Sequence, residues 1–432
     1  MVSEYMAFDD LLSFVVDNRG RTCPTDSQGL PLIATNCISN KRLYPTKENV
    51  RYVNNETYLN WFRAHPQPGD IIFVLKGAPG RCCLVPDPVD FCIAQDMVAV
   101  RADSTKIYPW YLFAVLRSPL IQEYIDRLHV GTMIPHFKKG DFNKLLIPIP
   151  DRSTQEFIGD AYMALVEKIE LNQRMNDTLE EMARAIFKDW FVDFGPTRTK
   201  AEGRDPYLAP DLWSVFPARL DEDKPAGWIW QNLAQATESI QRGLSPSYVE
   251  DGGVLVLNQK CIRDRRLDTA KGRRHDSSIK PINGRALANG DILVNSTGVG
   301  TLGRVAQVWH LPEAKTIVDS HVTVVRPDNA VASPLYLGFN LTGRETEIEA
   351  LGEGSTGQTE LARARLGDLP ILVPSQPAQR ALEQLIRPMV ERMVLNDAES
   401  RTLAQTRDLL LPKLMSGEIS VRDAKVQIRG AL

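Results

Sequence analysis

Gly298, Gly300 and Gly303 in the stretch NSTGVGTLGR (295 to 304) have the G-x-G-x-x-G spacing of loops that cradle a nucleotide's phosphates, and they come directly after the apolar run GDILV. Recognition of that kind needs a helix next, because its first amide hydrogens and its dipole face the anion. The next residues are instead RVAQVWH, where Val305, Val308 and Trp309 lie among small and polar residues, a pattern that suits a strand. No acidic residue stands at a strand end about 20 residues on; Asp319 is near that distance but opens another apolar run. The motif reads as a turn between two strands. Metal chemistry finds no better footing: Cys23, Cys37, Cys82, Cys83, Cys92 and Cys261 form no C-x-x-C pair, the six histidines are scattered, and buried reduced thiols are expected.

The elements that would position these residues belong to a chain of 432 residues, long enough for two or three domains. Hydrophobic content of 43% and charged content of 24% are those of a globular protein. No apolar stretch approaches the ~20 residues of a membrane span. The start, MVSEYMAFDD, is acidic and unlike a secretory signal, so a soluble cytoplasmic protein is expected. A formal charge of -3 provides no global attraction to nucleic acid, so any such contact must come from local patches.

The chain repeats itself. With residue n laid beside residue n + 224 and small insertions allowed, CISNKRL (37 to 43) matches CIRDRRL (261 to 267), and GDII (69 to 72) matches GDIL (290 to 293). Gly80 and Arg81 answer Gly303 and Arg304; Pro109, Tyr111 and Leu112 answer Pro334, Tyr336 and Leu337. The glycine turn is thus the second copy of KGAPGRC, which lacks the G-x-G-x-x-G spacing, and nucleotide binding is excluded by its own twin. Such a period lies far outside that of solenoids and propellers and marks a duplicated domain. Each copy opens with short apolar runs punctuated by Gly, Pro, Asn and Asp, read as strands and loops, and closes in a long helix.

For the first helix, Pro150 and Asp151 lead into STQE, where Ser153 and Glu156 have capping-box spacing. Ile158, Tyr162, Leu165, Ile169, Asn172, Asn176, Leu179, Ala183, Ile186 and Trp190 then step by four and three, a coiled-coil seam that stops at Gly195-Pro196. The second helix repeats the seam from Leu382 through Ile386, Met389, Met393, Asn396, Ser400, Leu403, Arg407 and Leu410 to Leu414, ending near Gly417, with a local bend expected at Pro388. Asn172 and Asn396 fall at equivalent seam positions; either they fix register at some cost in stability, or they are solvated at the edge of the contact. Residues 195 to 227, with five prolines and many charges, read as a connector with little core of its own.

Two related, diverged domains on a rigid strut suit a ligand with two similar but unlike halves, and duplex DNA is one. Residues 260 to 274 carry seven basic residues, Lys260, Arg263, Arg265, Arg266, Lys271, Arg273 and Arg274, against Asp264 and Asp268. The first copy offers Lys41 and Arg42 in the matching loop, and Thr132, His136, Lys138 and Lys139 in HVGTMIPHFKKG; the counterpart of the latter, GEGSTGQTELARAR, holds Ser355, Thr356, Gln358, Arg363 and Arg365. Basic residues would contact phosphate, while Gln and Arg can read base edges; the alternative is that these loops are only solvated.

The run ARAIFKDWFVDFGPTRTKAEG (183 to 203) resembles the central conserved region of the DNA specificity (S) subunits of Type I restriction-modification systems. GWIWQNL and QRGLSPSYVEDGG resemble the start of that family's second recognition domain, and RTLAQTRDLLLPKLMSGEI its distal conserved region, so the likeness covers nearly the whole chain. It implies an α+β fold of two similar mixed α/β target recognition domains. Each is followed by a long helix, and the two helices pack as an antiparallel coiled coil with pseudo-two-fold symmetry. The divisions would be recognition domain 1 at 1–150, spacer helix at 151–194, connector at 195–227, recognition domain 2 at 228–374, second spacer helix at 375–418 and a tail at 419–432.

The resemblance implies a non-catalytic, cofactor-free subunit in the bacterial or archaeal cytoplasm that recognises a bipartite asymmetric site in double-stranded DNA. Its partners would be two adenine methyltransferase (M) subunits and restriction (R) subunits. M-subunit contact would fall on Phe187, Trp190, Phe191, Phe194, Leu411, Leu414 and Met415; the same side chains could close each helix against its own domain, and both roles can hold. No Asn-Pro-Pro-aromatic or Asp-Pro-Pro-aromatic methyltransferase motif and no G-x-x-x-x-G-K-[ST] loop occurs in the chain, so S-adenosylmethionine and ATP would belong to partners. Two other readings stay open at this point: a methyltransferase with its own recognition domains, and a scaffold that grips proteins.

Overall fold

A computed structural model describes residues 4–18, 20, 22–128, 135–354, 359–416, 418, 419, 423 and 424. The chain divides into two units, one comprising Met1–Arg174 and Asn396–Leu432, the other Met175–Leu395. Each unit therefore takes part of both long helices, which the linear division into recognition domains and spacers does not anticipate.

The first unit is built on an antiparallel four-stranded sheet in the order Leu12–Val16, Met97–Ala102, Ile71–Val74, Cys82–Leu84. The strand Ile71–Val74 is buried along its whole length, and its alternation explains why four consecutive residues can all be apolar. Ile71 and Phe73 enter a core with Tyr111, Phe113 and Tyr162, while Ile72 and Val74 enter another with Ile33, Cys83 and Phe91. A strand covered on both faces needs no polar face. The second layer is the sheet Arg51–Val53, Leu30–Ile33, Cys92–Ile93. Glu4–Ala7 pairs with Leu146–Ile149, the strand that leads into the first long helix.

The second unit repeats this topology. Its four-stranded sheet runs Thr237–Arg242, Val322–Pro327, Ile292–Asn295, Val305–Gln307, and even the register irregularity recurs, between Leu12 and Phe14 in one unit and Thr237 and Ser239 in the other. Tyr248–Val249, Arg273–His275, Val254–Leu257 and Thr316–Val318 form the second layer, and Ile229–Asn232 pairs with Pro370–Val373. Side-chain fastenings recur as well. Tyr111 donates its hydroxyl to the Pro148 carbonyl (2.8 Å), and Tyr336 does the same to Leu372. Gln155 accepts from the Tyr108 amide and donates to the Pro150 carbonyl; Gln379 repeats both bonds with Ser333 and Pro374. The duplication read in the sequence is a duplication of structure.

The long helices are Arg152–Phe191 and Gln376–Ser416. Within the first unit Ile158 and Tyr162 share a core with Leu410, Leu411 and Leu414, and Leu165 and Ile169 meet Leu403. Within the second, Ala183 and Phe187 share a core with Leu382, Ile386 and Val390. In each unit low numbers on one helix meet high numbers on the other, so the segments run antiparallel. Pro388 lies inside an unbroken helical run. The helix start differs from the expected capping box. Asp151, not Ser153, is the cap: its carboxylate accepts from Ser153 Oγ (2.6 Å), Thr154 N (3.0 Å) and Thr154 Oγ1 (2.8 Å). Glu156 turns outward to Arg152 (2.9 Å). A carboxylate at the residue just before the helix reaches the free amides and also favours the helix dipole, which the neutral Ser153 cannot do.

The connector is not open chain. It folds as Gly195–Ala201, Pro210–Ser214 and the hairpin Leu220–Asp221 with Lys224–Pro225, and lays Phe216 edge-on against Trp190, ring centroids 5.0 Å apart. All six cysteines are buried free thiols. Among the described residues, no helix is long and apolar enough to cross a membrane, and no group of three His, Cys, Asp or Glu is placed to hold a metal ion.

Candidate nucleic-acid interface

The turn that carries Gly298, Gly300 and Gly303 joins the antiparallel strands Ile292–Asn295 and Val305–Gln307, as expected. All three glycines have positive φ. A Cβ on Gly303 would stand 2.7 Å from the Glu349 backbone, so the turn lies against the short helix Glu345–Ala350 more closely than any side chain permits. Its twin in the first unit, between Ile71–Val74 and Cys82–Leu84, has Gly77 and Gly80 at positive φ.

The backbone bonds of the turn define its role. Leu361 N donates to Ser296 O (2.8 Å), and an isolated bridge joins Thr297 to Glu360. In the first unit Phe137 N donates to Leu75 O (2.8 Å), and a bridge joins Lys76 to His136. Each glycine turn is thereby fastened to a described pair of residues, His136 and Phe137 in the first unit, Glu360 and Leu361 in the second. On its other side, Asn295 donates to the Gln259 carbonyl (3.1 Å), at the entrance to the basic loop. In the second unit the turn and the residues beside it are thus tied both to Glu360 and Leu361 and to the entrance of the basic loop. Sequence reasoning missed this grouping. Its only signal was the recurrence of Gly-Arg in both copies.

The predicted cations divide by what holds them. Arg42 reaches Glu170 on the first long helix (3.1 Å), and the Leu43 amide takes that carboxylate's other oxygen (3.1 Å). Its equivalent Arg266 reaches Asp177 (3.0 Å) and Glu180 (2.9 Å). Both guanidiniums meet carboxylates of the first long helix; the Glu170 side chain is only 5% exposed, and a carboxylate buried there requires its guanidinium. Burial pushes the Glu180 carboxyl up, but Arg184 and Arg266 outweigh burial and hold it below the usual range. Lys139 pairs with Asp17 (3.0 Å), Lys271 with Asp268 (3.2 Å), Arg274 with Glu313 (2.7 Å) and Arg263 with Asp264 (3.3 Å). Arg273 lies over the Tyr248 ring. Lys41, Lys138, Lys260 and Arg265 are exposed. Thr132, Ser355, Thr356 and Gln358 lie outside the described residues.

The aromatic cluster at the end of the first helix lies in the core of the second unit. Phe187, Trp190 and Phe191 are buried; Phe187 stacks on Phe339, Phe191 on Trp228, and Phe194 meets Trp228 edge-on. Leu411 and Leu414 are buried in the first unit, with Met415 packed beside them. The end of the first long helix thus enters the core of the second unit and the end of the second long helix that of the first, because large apolar groups find the nearest core. Their neighbours Val192 and Leu409 are exposed. Asn172 and Asn396 are both buried rather than solvated: Asn172 Nδ2 donates to Glu399 (2.7 Å), to Ser400 (3.3 Å) and to the Asn396 carbonyl (3.4 Å).

Residues 19–181 match the family model described as Type I restriction modification DNA specificity domain. The chain is 24% identical over 409 residues to the Type I restriction enzyme HindI specificity subunit of Haemophilus influenzae, covering 81% of this chain and 86% of that protein. It is 23% identical over 319 residues to the MjaIX specificity subunit of Methanocaldococcus jannaschii, covering 72% and 69%. In fold it is similar to the crystal structure of a Type I restriction-modification S subunit from M. genitalium, with a TM-score of 0.55, 15% identity and 95% of each chain covered.

Proposed function

The chain belongs to the specificity subunits of Type I restriction-modification systems, and from that premise we propose that each of its two units reads one half of a split, asymmetric DNA site for the methyltransferase (M) and restriction (R) subunits it recruits. It is the specificity component of the complex, not a catalytic one. Methyl transfer and ATP-driven cleavage, with S-adenosylmethionine and ATP, belong to the partners. Two M subunits dock, one on each unit, and the complex acts in the cytoplasm of a bacterium or archaeon. Residues 151–194 and 375–418 act as spacers that set the gap between half-sites, with 1–150 and 228–374 as readers. Lys41, Lys138, Lys260, Arg265 and Arg273 contact the phosphate backbone.

The observation that carries this reading is the repeated frame with unlike surface loops: the same strand order, Tyr and Gln fastenings and glycine turn in each unit, but different side chains on the segments they hold. Two copies of one reader that differ only at their tips fit a ligand of two unlike halves. The test is exchange of residues 1–150 for those of a relative in the complex with M, with methylated sites then mapped. One half of the motif is expected to change. A change in both halves, or in neither, overturns the assignment of one reader to one half-site. A flat salt dependence of DNA binding would favour a protein scaffold instead.

A further inference from the structure

The backbone bonds at the two tips establish which residues are structurally equivalent, independently of any sequence alignment. Leu75 N donates to Asp96 O in the first unit, and Ser296 N to His321 O in the second (2.8 and 2.9 Å). Together with the bridges Lys76 to His136 and Thr297 to Glu360, these bonds superpose three pairs: Lys76 with Thr297, Asp96 with His321, and His136 with Glu360. The frame beneath them is the same in both units. The side chains above it differ in chemistry at all three places. Lys76, Asp96, His321 and Glu360 are exposed.

Resting on the reading of each unit as a half-site reader, we propose that these three positions determine base specificity: Lys76, Asp96 and His136 in the first unit, and Thr297, His321 and Glu360 in the second. Phosphate contact alone would favour cations at every one of them. Instead each tip presents an acid. The Asp96 carboxylate has no salt-bridge partner among the described residues; facing DNA, it repels phosphate and suits a hydrogen-bond donor such as the cytosine amino group. Lys76 supplies a donor suited to guanine. In the second unit His321 Nδ1 is hydrogen-bonded to Thr297 Oγ1 (2.7 Å), which leaves Nε2 to meet a base edge and lets the Thr297 hydroxyl set its tautomer. His321 is anchored below by its amide, which donates to Asp319 (2.9 Å). Glu360 is held by Arg242 (2.9 Å), whose guanidinium also donates to the Leu361 carbonyl (2.7 Å). Arg242 is a positioning residue for this tip.

The test uses the full chain assembled with its M subunits, a DNA library randomised around the site, and sequencing of methylated products. If the unaltered complex yields no two-part motif, the half-site reading fails and the inference with it. Given that motif, His321→Ala is expected to lower discrimination about tenfold at one base position of the second unit's half-site, leaving the other half intact. Asp96→Asn is expected to do the same in the first unit's half-site. Both side chains are exposed, so folding is retained, and thermal melting checks this. Unchanged discrimination in either variant, or equal loss of methylation across all sequences, overturns the proposal while leaving the half-site reading standing.

Discussion

Asp291 holds Arg326 through two parallel hydrogen bonds, Nε to Oδ1 at 2.8 Å and a terminal nitrogen to Oδ2 at 2.7 Å, with the carboxylate fully buried. Asp70 holds Arg101 in the same way in the other unit. The aspartates are those of the repeated Gly-Asp-Ile motif, and each also accepts a backbone amide three residues back, from Ala288 or Gln67. The pair pins the turn that enters the central strand of each four-stranded sheet.

Removing one partner strands the other. Asp291→Ala is expected to destabilise the second unit by about 2–3 kcal/mol, below the ~3–5 kcal/mol of fully buried pairs because Arg326 is partly exposed. The double variant Asp291→Ala with Arg326→Met should recover part of that loss. Hydrogen exchange in the strand Ile292–Asn295 reads both, since a two-unit chain need not unfold in one step. Equal protection in single and double variants would show that the pairing contributes nothing.

The glycine turn offers a contrast within one loop. At Gly303 positive φ combines with a Cβ position 2.7 Å from the Glu349 backbone, whereas at Gly300, also at positive φ, a Cβ would meet nothing. Gly300→Ala is expected to cost about 1 kcal/mol, the left-handed penalty alone, and Gly303→Ala about 2–4 kcal/mol. Exchange of the Leu361 amide, bonded to Ser296 on that turn, reports the difference. Equal effects at the two positions would mean that helix contact does not constrain the turn.

Hydrogen bonds from Ser153, then Thr154, hold the Asp151 carboxyl down at about 2. An unfolded aspartate titrates at about 3.9. A depressed folded value stabilises the charged form, so the cap's contribution is complete above about pH 4 and is lost as pH falls toward 2. The difference in thermal midpoint between the unaltered chain and Asp151→Ala should therefore be constant from pH 7 to 5 and shrink between pH 4 and 3. A difference independent of pH would show that the carboxylate's charge plays no part in capping.

The amino-acid sequence by itself determined the duplication, the strand and turn character of the glycine motif, both long helices and their seams, and the equivalent seam positions of Asn172 and Asn396. Those properties are written in local periodicity and in the offset of 224, where each residue's neighbours along the chain suffice. Only the tertiary structure decided that the two asparagines are buried, and which cations are committed. Arg42 and Glu170 are 128 residues apart in sequence, and nothing local separates Arg42 from the exposed Lys41 beside it. The same holds for Phe187, Trp190 and Phe191, whose ring partners come from 216, 228 and 339, and for the tips, where backbone bonds bring Thr297, His321 and Glu360 onto one surface. Pairing energies of charges and rings depend on distance and burial through space, and those are set only when distant segments pack.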